Sequence, residues 1–93
     1  MNDAAAKHTD GPALRTRLLA LIGQILDKGD GQSLPLETAL AELGMSSIKM
    51  VNLMLAVEGE FDLSIPQHEI TPANFRSVAS VEALLGRLLA VKP

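Results

Sequence analysis

The 93-residue sequence has no cysteine, tryptophan or tyrosine, and its only aromatic residues of the Phe, Trp and Tyr class are Phe61 and Phe75. Without cysteine there is no disulfide, no thiol nucleophile, no iron–sulfur cluster and no cysteine-ligated zinc. Proteins that bind single-stranded nucleic acids stack bases on aromatic side chains, which this chain almost lacks. What remains is a small domain whose 47% hydrophobic content is enough to fill one core.

Basic residues are also in short supply. Lys and Arg number 8 against 11 Asp and Glu, and Lys49 is the only Lys or Arg within residues 37–69. Nucleic-acid binding needs a basic surface, so we expect no nucleic-acid partner and instead expect basic protein partners. The longest apolar run, residues 18–23, is far shorter than the roughly 20 residues of a membrane span. No signal-peptide cleavage motif follows it, and we expect a cytoplasmic protein.

Apolar residues recur at helical spacing in three segments. The first predicts a helix over residues 12–28, preceded by a disordered tail at residues 1–11 with Asp10 as a cap. The second predicts a helix over residues 46–61, and the third a last helix capped by Ser77. A short fourth helix is expected after Thr71, with Phe75 pointing inward. The predicted fold class is therefore all-α, a small four-helix bundle over residues 12–93 with three longer helices and one short helix.

The second predicted helix is apolar around more than one face. One stripe holds Ile48, Val51, Leu55 and Glu58, and another holds Met50, Met54, Val57 and Phe61. A helix that packs on one side only needs a narrower stripe. Part of this apolar surface is therefore expected to face a partner or to line an internal pocket.

Residues suited to catalysis or metal binding are not grouped in this sequence. His8 lies in the tail, and His68 follows Pro66 with no Asp or Ser at a telling spacing. Residues 44–48 lack the second Gly of a hydrolase nucleophile elbow. The acids at Asp27 and Asp30 do not have the spacing of a calcium loop, and no metal site is predicted. We predict that the chain is not an enzyme.

Two adjacent serines follow Gly44 at the start of the second predicted helix. Ser46 suits the N-cap, and Ser47 then lies in the first turn with an accessible hydroxyl. A phosphate ester on Ser47 would lie where free N–H groups and the helix dipole favour an anion. The spacing alone favours the simpler interpretation, in which the two serines merely cap a helix.

The surroundings of these serines resemble the acyl carrier protein family over residues 36–85. Residues 40–44 (LAELG) look like the segment before the family's attachment site, and Ser47–Ile48 like its modified Ser and the aliphatic residue that follows. Residues 58–61 (EGEF) fit the end of the family's second helix, and residues 63–66 (LSIP) fit its link. Residues 71–78 (TPANFRSV) are similar to a stretch of many free-standing carriers.

This resemblance implies a four-helix bundle of acyl-carrier type, acting as a monomer. A phosphopantetheinyl transferase would attach 4′-phosphopantetheine to Ser47, and the thiol of this arm would hold an acyl or aminoacyl group as a thioester. The other implied partners are an acyl- or aminoacyl-activating ligase and synthase or acyltransferase enzymes, as in fatty acid or polyketide biosynthesis. The implied partner-docking residues are Ser46, Ile48, Val51, Leu55 and Glu58. The implied acyl-pocket residues are Met50, Met54, Val57 and Ile65.

The sequence departs from the family pattern near the serines. Ser46 stands where the family usually has Asp, and Lys49 and Asn52 stand where it usually has acids. These departures indicate a specialised carrier with its own partners rather than a general fatty-acid carrier. The alternative hypothesis is a carrier-like helical bundle that binds proteins without being modified.

Overall fold

Three α-helices form the frame of the computed structural model, which describes residues 11–90. They are α1 (Gly11–Leu26), α2 (Ser47–Phe61) and α3 (Val78–Ala90). Two short 3₁₀ turns, Leu40–Leu43 and Gln67–Glu69, lie in the connections between them. Helix α1 packs against both α2 and α3. The predicted all-α class is confirmed. Most of the predicted tail and the predicted Asp10 cap fall within residues 1–10, which lie outside the described residues.

One hydrophobic core joins the three helices and the long connection between α1 and α2. The predicted inward faces of α1 and α3 both contribute to it, and Leu40 from the connection is fully buried as well. Phe75 is buried too, as predicted. The fully buried side chains are Leu18, Ile22, Leu40, Leu53, Val57, Val78, Val81, Leu84 and Leu85.

Helix α1 ends two residues before the predicted end at Lys28. Asp27 adopts a left-handed conformation with φ 60°, and the Lys28 N–H donates to the Gly23 carbonyl at 2.7 Å. The Asp27 N–H donates to the Gln24 carbonyl at 3.3 Å, which completes a Schellman motif. The sequence predicts an end just before Gly29, but Asp27 takes the left-handed position first.

The connection after α1 folds back against that helix at two glycines. A Cβ on Gly31 would collide with the Leu19 carbonyl oxygen, and a Cβ on Gly23 would lie 2.5 Å from the Gly31 nitrogen. Gly31 also has a left-handed φ of 70°. Only glycines allow the two backbone segments to approach this closely.

The short helix predicted after Thr71 is a single turn. Thr71 caps it as expected, because its Oγ1 accepts the Asn74 N–H at 3.2 Å. The Phe75 N–H donates to the Thr71 carbonyl at 3.3 Å, which closes the turn and directs Phe75 into the core. The bundle therefore has three helices and one capped turn where a short fourth helix was predicted.

Pairing with the connection before α2 explains why this turn does not extend. The Arg76 carbonyl accepts the Leu40 N–H at 2.7 Å, and Ser77 forms an isolated antiparallel bridge with Ala39. Helix α3 then begins with the predicted Ser77 cap, whose Oγ accepts the Ser80 N–H at 3.2 Å. The Ser80 Oγ accepts the Ser77 N–H in return, at 2.9 Å. These contacts fasten the start of α3 to the segment that leads into α2.

Candidate functional site

A tight turn places the two serines at the start of α2. Gly44 has a φ of 104°, a left-handed value that suits glycine, and it ends the Leu40–Leu43 turn. The Met45 N–H then donates to the Leu40 carbonyl at 3.0 Å, and the Met45 side chain is buried. The chain is thus anchored in the core one residue before Ser46.

Ser46 is the N-cap of α2, as predicted. Its backbone is extended, and its Oγ accepts the Lys49 N–H at 3.2 Å. Its carbonyl accepts the Met50 N–H at 2.8 Å, the first hydrogen bond of the helix. The Ser46 hydroxyl therefore already has a structural role in fixing where α2 begins.

Ser47 is the first residue of α2, and its side chain is exposed. No hydrogen bond to its hydroxyl is formed by any residue between 11 and 90. The N–H groups of the first helical turn have no partner within the helix, and the dipole there favours negative charge. An exposed hydroxyl beside these N–H groups is a site that fits a covalently attached phosphate ester.

An apolar stripe runs along α2 from the Ser47 end. Ile48 is 75% exposed, Val51 53% and Leu55 62%. These are three of the four large hydrophobic side chains that residues 11–90 leave exposed. Their spacing of three and four residues puts them on one face of the helix. We call Ile48, Val51 and Leu55 the α2 stripe.

Glu58 lies at the far end of this stripe. Unlike the stripe residues, it is half-buried, and its carboxylate has a partner within the chain. Its Oε2 accepts the N–H of Ile65 at 2.8 Å. Ile65 is itself buried in the core. The Glu58 carboxylate therefore holds the link after α2 against the end of that helix.

We expect Glu58→Ala to lower the free energy of unfolding by about 1–3 kcal/mol, because it leaves the Ile65 N–H without its acceptor. Glu60→Ala is the matched control. Its Oε2 pairs with the Arg17 Nε at 2.9 Å on an exposed surface, and such pairs contribute about 0–1 kcal/mol. Urea denaturation of both variants measures the difference, and equal losses would show that the Glu58 contact has no special weight.

The four predicted pocket residues divide into two pairs. Val57 and Ile65 are buried members of the core, whereas Met50 and Met54 are half-buried and pack against it. All four belong to, or touch, the same apolar cluster below the exposed face of α2. Methionine side chains are flexible and adapt to irregular gaps, so Met50 and Met54 are the more movable pair.

The other candidate chemistries find no support in the described part of the chain. The His68 side chain is 82% exposed, and its Nε2 lies 4.0 Å from a Glu69 carboxylate oxygen. Between residues 11 and 90, no three His, Asp or Glu side chains are grouped to hold a metal ion. Within the same range, no helix has the length and apolar content that crossing a bilayer requires.

Sequence comparison connects this site with a family of known chemistry. Residues 16–85 match the family described as phosphopantetheine attachment site. Aminoacyl carrier protein 2 of Bradyrhizobium diazoefficiens is 40% identical over 79 residues, covering 84% of this chain and 89% of the relative. Aminoacyl carrier protein 1 of the same organism is 42% identical over 73 residues, covering 77% and 81%.

Two solved structures are similar in fold and sequence. A chain from the Bradyrhizobium japonicum glycine:[carrier protein] ligase complexed with glycylated carrier protein has a TM-score of 0.62 and 42% identity. The match covers 76% of this chain and 97% of that one. A chain from that ligase with its cognate carrier protein and an analogue of glycyl adenylate has a TM-score of 0.65 and 38% identity, covering 85% and 99%.

These matches confirm the resemblance that residues 36–85 indicated, and they confirm a carrier function in place of catalysis. They extend the similarity to α1, since the family match begins at residue 16. Two features of the structure fit the family of these relatives: the exposed hydroxyl at the start of α2 and the three-helix frame. The chain belongs to the phosphopantetheine attachment family and is a carrier protein, not an enzyme.

Proposed function

We propose that the chain carries an aminoacyl group on a 4′-phosphopantetheine arm attached to Ser47. The supporting observation is the difference between the two serines: the Ser46 hydroxyl caps α2, and the Ser47 hydroxyl is exposed. The Ser47 Oγ would lose its proton and form a phosphoester with the pantetheine phosphate of coenzyme A, releasing adenosine 3′,5′-bisphosphate. When bound, the arm supplies the thiol that holds the cargo as a thioester.

The relatives favour an amino acid as the cargo. Both similar curated proteins are aminoacyl carrier proteins, and one similar structure contains a glycylated carrier protein. We therefore propose an aminoacyl-activating ligase of the glycine-loading type as the partner that loads the arm. A phosphopantetheinyl transferase would act before it, and an acyltransferase or synthase would take the cargo after it.

We propose the α2 stripe as the surface on which these partners dock, with Ser46 at its beginning. Exposed aliphatic side chains beside the attachment residue give a partner apolar area to bury while it reaches the arm. Glu58 would support this surface indirectly, because its contact with Ile65 fixes the link at the end of α2.

For the cargo itself, we propose a pocket beneath α2 lined by Met50, Met54, Val57 and Ile65. The two half-buried methionines would move to admit a side chain, while Val57 and Ile65 form the floor. A small aminoacyl group would need little displacement of this packing.

The proposed function is tested by the intact mass of the purified protein. Incubation with coenzyme A, Mg²⁺ and a broad-specificity transferase should add one phosphopantetheinyl group per chain. The further addition of ATP, glycine and the B. japonicum glycine:[carrier protein] ligase should add one glycyl group. A folded protein that gains no mass with the transferase would support the alternative, an unmodified bundle that binds proteins.

Ser46→Asp should speed the modification by a fatty-acid-type transferase about 3- to 10-fold. Aspartate keeps the cap and adds a carboxylate that attracts a basic enzyme surface, which raises the rate of encounter. The matched control is Ser46→Asn, which caps equally well but carries no charge. Initial rates from intact-mass time courses measure the effect, and equal rates for the three proteins would remove charge at this position as a factor.

A further inference from the structure

The part of α2 next to Ser47, residues 47–57, carries no acid, although the surrounding region is acidic. At 100° per residue, the positions that flank the α2 stripe are Asn52 and Gly59, which are exposed, and Glu58, which is half-buried. The net charge of residues 37–69 predicts basic partners. On α2, none of this negative charge precedes Glu58, at the end of the helix away from Ser47.

Both acids of α2 are engaged elsewhere. Glu58 accepts the Ile65 N–H, and Glu60 pairs with Arg17 of α1 at 2.9 Å. The Arg17 guanidinium also donates to the Glu60 carbonyl at 2.7 Å and lies 4.5 Å from the centre of the Phe61 ring. Both carboxylates lie in the last four residues of the helix, away from Ser47, and both have partners there.

The charge nearest Ser47 along α2 is positive. Lys49 is the only charged residue in the first eleven residues of α2, 47–57, and it is half-buried. Its side chain has no ion-pair partner within residues 11–90. It lies 100° around the helix from Ile48, on the side away from Val51 and Leu55, and within one turn of the attachment residue.

Lys49 occupies a position in the first turn of α2 at which an acidic residue would stabilise the helix more. It is the third residue of α2, and its N–H is the one that the Ser46 hydroxyl accepts. A Glu at this position would complete a capping box and complement the positive end of the helix dipole. A cation here opposes the dipole, so the helix itself gives no reason for Lys49.

On the basis of the proposed function, we propose that the α2 stripe and Lys49 together select the loading ligase. The docking surface of this ligase would be apolar and would place a carboxylate opposite Lys49. An enzyme that recognises carriers through basic side chains would place like charge against Lys49 and find no acid among residues 47–57 of α2. Apolar contact would supply the affinity, and the single charge pair would supply orientation and selectivity.

The test uses holo protein and the B. japonicum glycine:[carrier protein] ligase, with kcat/KM for glycyl loading as the readout. From about 25 mM to about 500 mM NaCl, kcat/KM should fall less than about three-fold, because one exposed charge pair is screened. Lys49→Arg should load like the parent, Lys49→Gln about three-fold more slowly and Lys49→Glu about tenfold more slowly. The loss in Lys49→Glu should shrink as salt is raised.

Melting temperature separates this role from a structural one. Lys49→Glu should melt at or above the temperature of the parent, since it completes the capping box, while it loads more slowly. A steep salt inhibition of the parent, or unchanged or faster loading of Lys49→Glu, would overturn the inference and leave the proposed function standing. Holo protein that the ligase does not load at any salt concentration would overturn both.

Discussion

Ser47→Ala is expected to abolish attachment of phosphopantetheine completely while leaving the protein folded. The Ser47 side chain is exposed and forms no hydrogen bond with residues 11–90, so its removal deletes the reacting hydroxyl and no structural contact. Alanine has the highest helix propensity and is well tolerated in the first turn. Intact mass after incubation with coenzyme A and a transferase should therefore show no adduct, with the melting temperature close to that of the parent.

Ser46→Ala is the matched control one residue away, and it should show the reverse behaviour. Loss of the hydroxyl that accepts the Lys49 N–H removes the cap of α2 and should cost about 0.5–2 kcal/mol of stability. The variant should still accept the arm below its melting temperature. An adduct that persists in Ser47→Ala, or that disappears in Ser46→Ala while the protein stays folded, would contradict the roles assigned to the two residues.

Leu53 and Leu55 give the second large contrast, because they are two residues apart on α2 and face opposite environments. Leu53 is fully buried, and Leu55 is 62% exposed. We expect Leu53→Ala to lower the free energy of unfolding by about 2–5 kcal/mol, through lost burial and the cavity that remains. Leu55→Ala should change it by less than about 1 kcal/mol, because surface substitutions outside the core cost little.

The effect on loading should be in the opposite order. Burying one aliphatic side chain at an interface contributes about 1.5–3 kcal/mol, so Leu55→Ala should lower kcat/KM of arm loading by about tenfold or more. Leu53→Ala, assayed at a temperature where it is folded, should load within about two-fold of the parent, because Leu53 is not part of the exposed stripe. Large instability of Leu55→Ala with unchanged loading would place the docking surface elsewhere.

Much of the fold is readable from the sequence because it depends on local rules. The inward faces of α1 and α3 follow from apolar residues at helical spacing. The caps at Ser46, Thr71 and Ser77 follow from hydroxyl side chains placed just before such segments, and all three form the expected hydrogen bonds. The exposed hydroxyl of Ser47 follows from the same reasoning, once Ser46 is taken as the cap.

The features that the sequence does not reveal depend on contacts between residues that are not neighbours along the chain. The pairing of Ala39 with Ser77, which stops the turn after Thr71, joins positions 38 residues apart. The Glu58 contact with Ile65 and the Arg17 contact with Glu60 likewise have no periodic signal. A count of acids over residues 37–69 predicts basic partners, but it does not show that Glu58 and Glu60 already have partners within the chain.

The most direct test of the carrier role on Ser47 is tandem mass spectrometry of the tryptic peptide that ends at Lys49. The parent protein is incubated with coenzyme A, transferase, ATP, glycine and the B. japonicum glycine:[carrier protein] ligase before digestion. Fragment ions that separate Ser46 from Ser47 should place a phosphopantetheinyl group bearing one glycyl residue on Ser47. An unmodified peptide, an adduct on Ser46, or an arm that never gains the glycyl group would contradict an aminoacyl carrier whose attachment residue is Ser47.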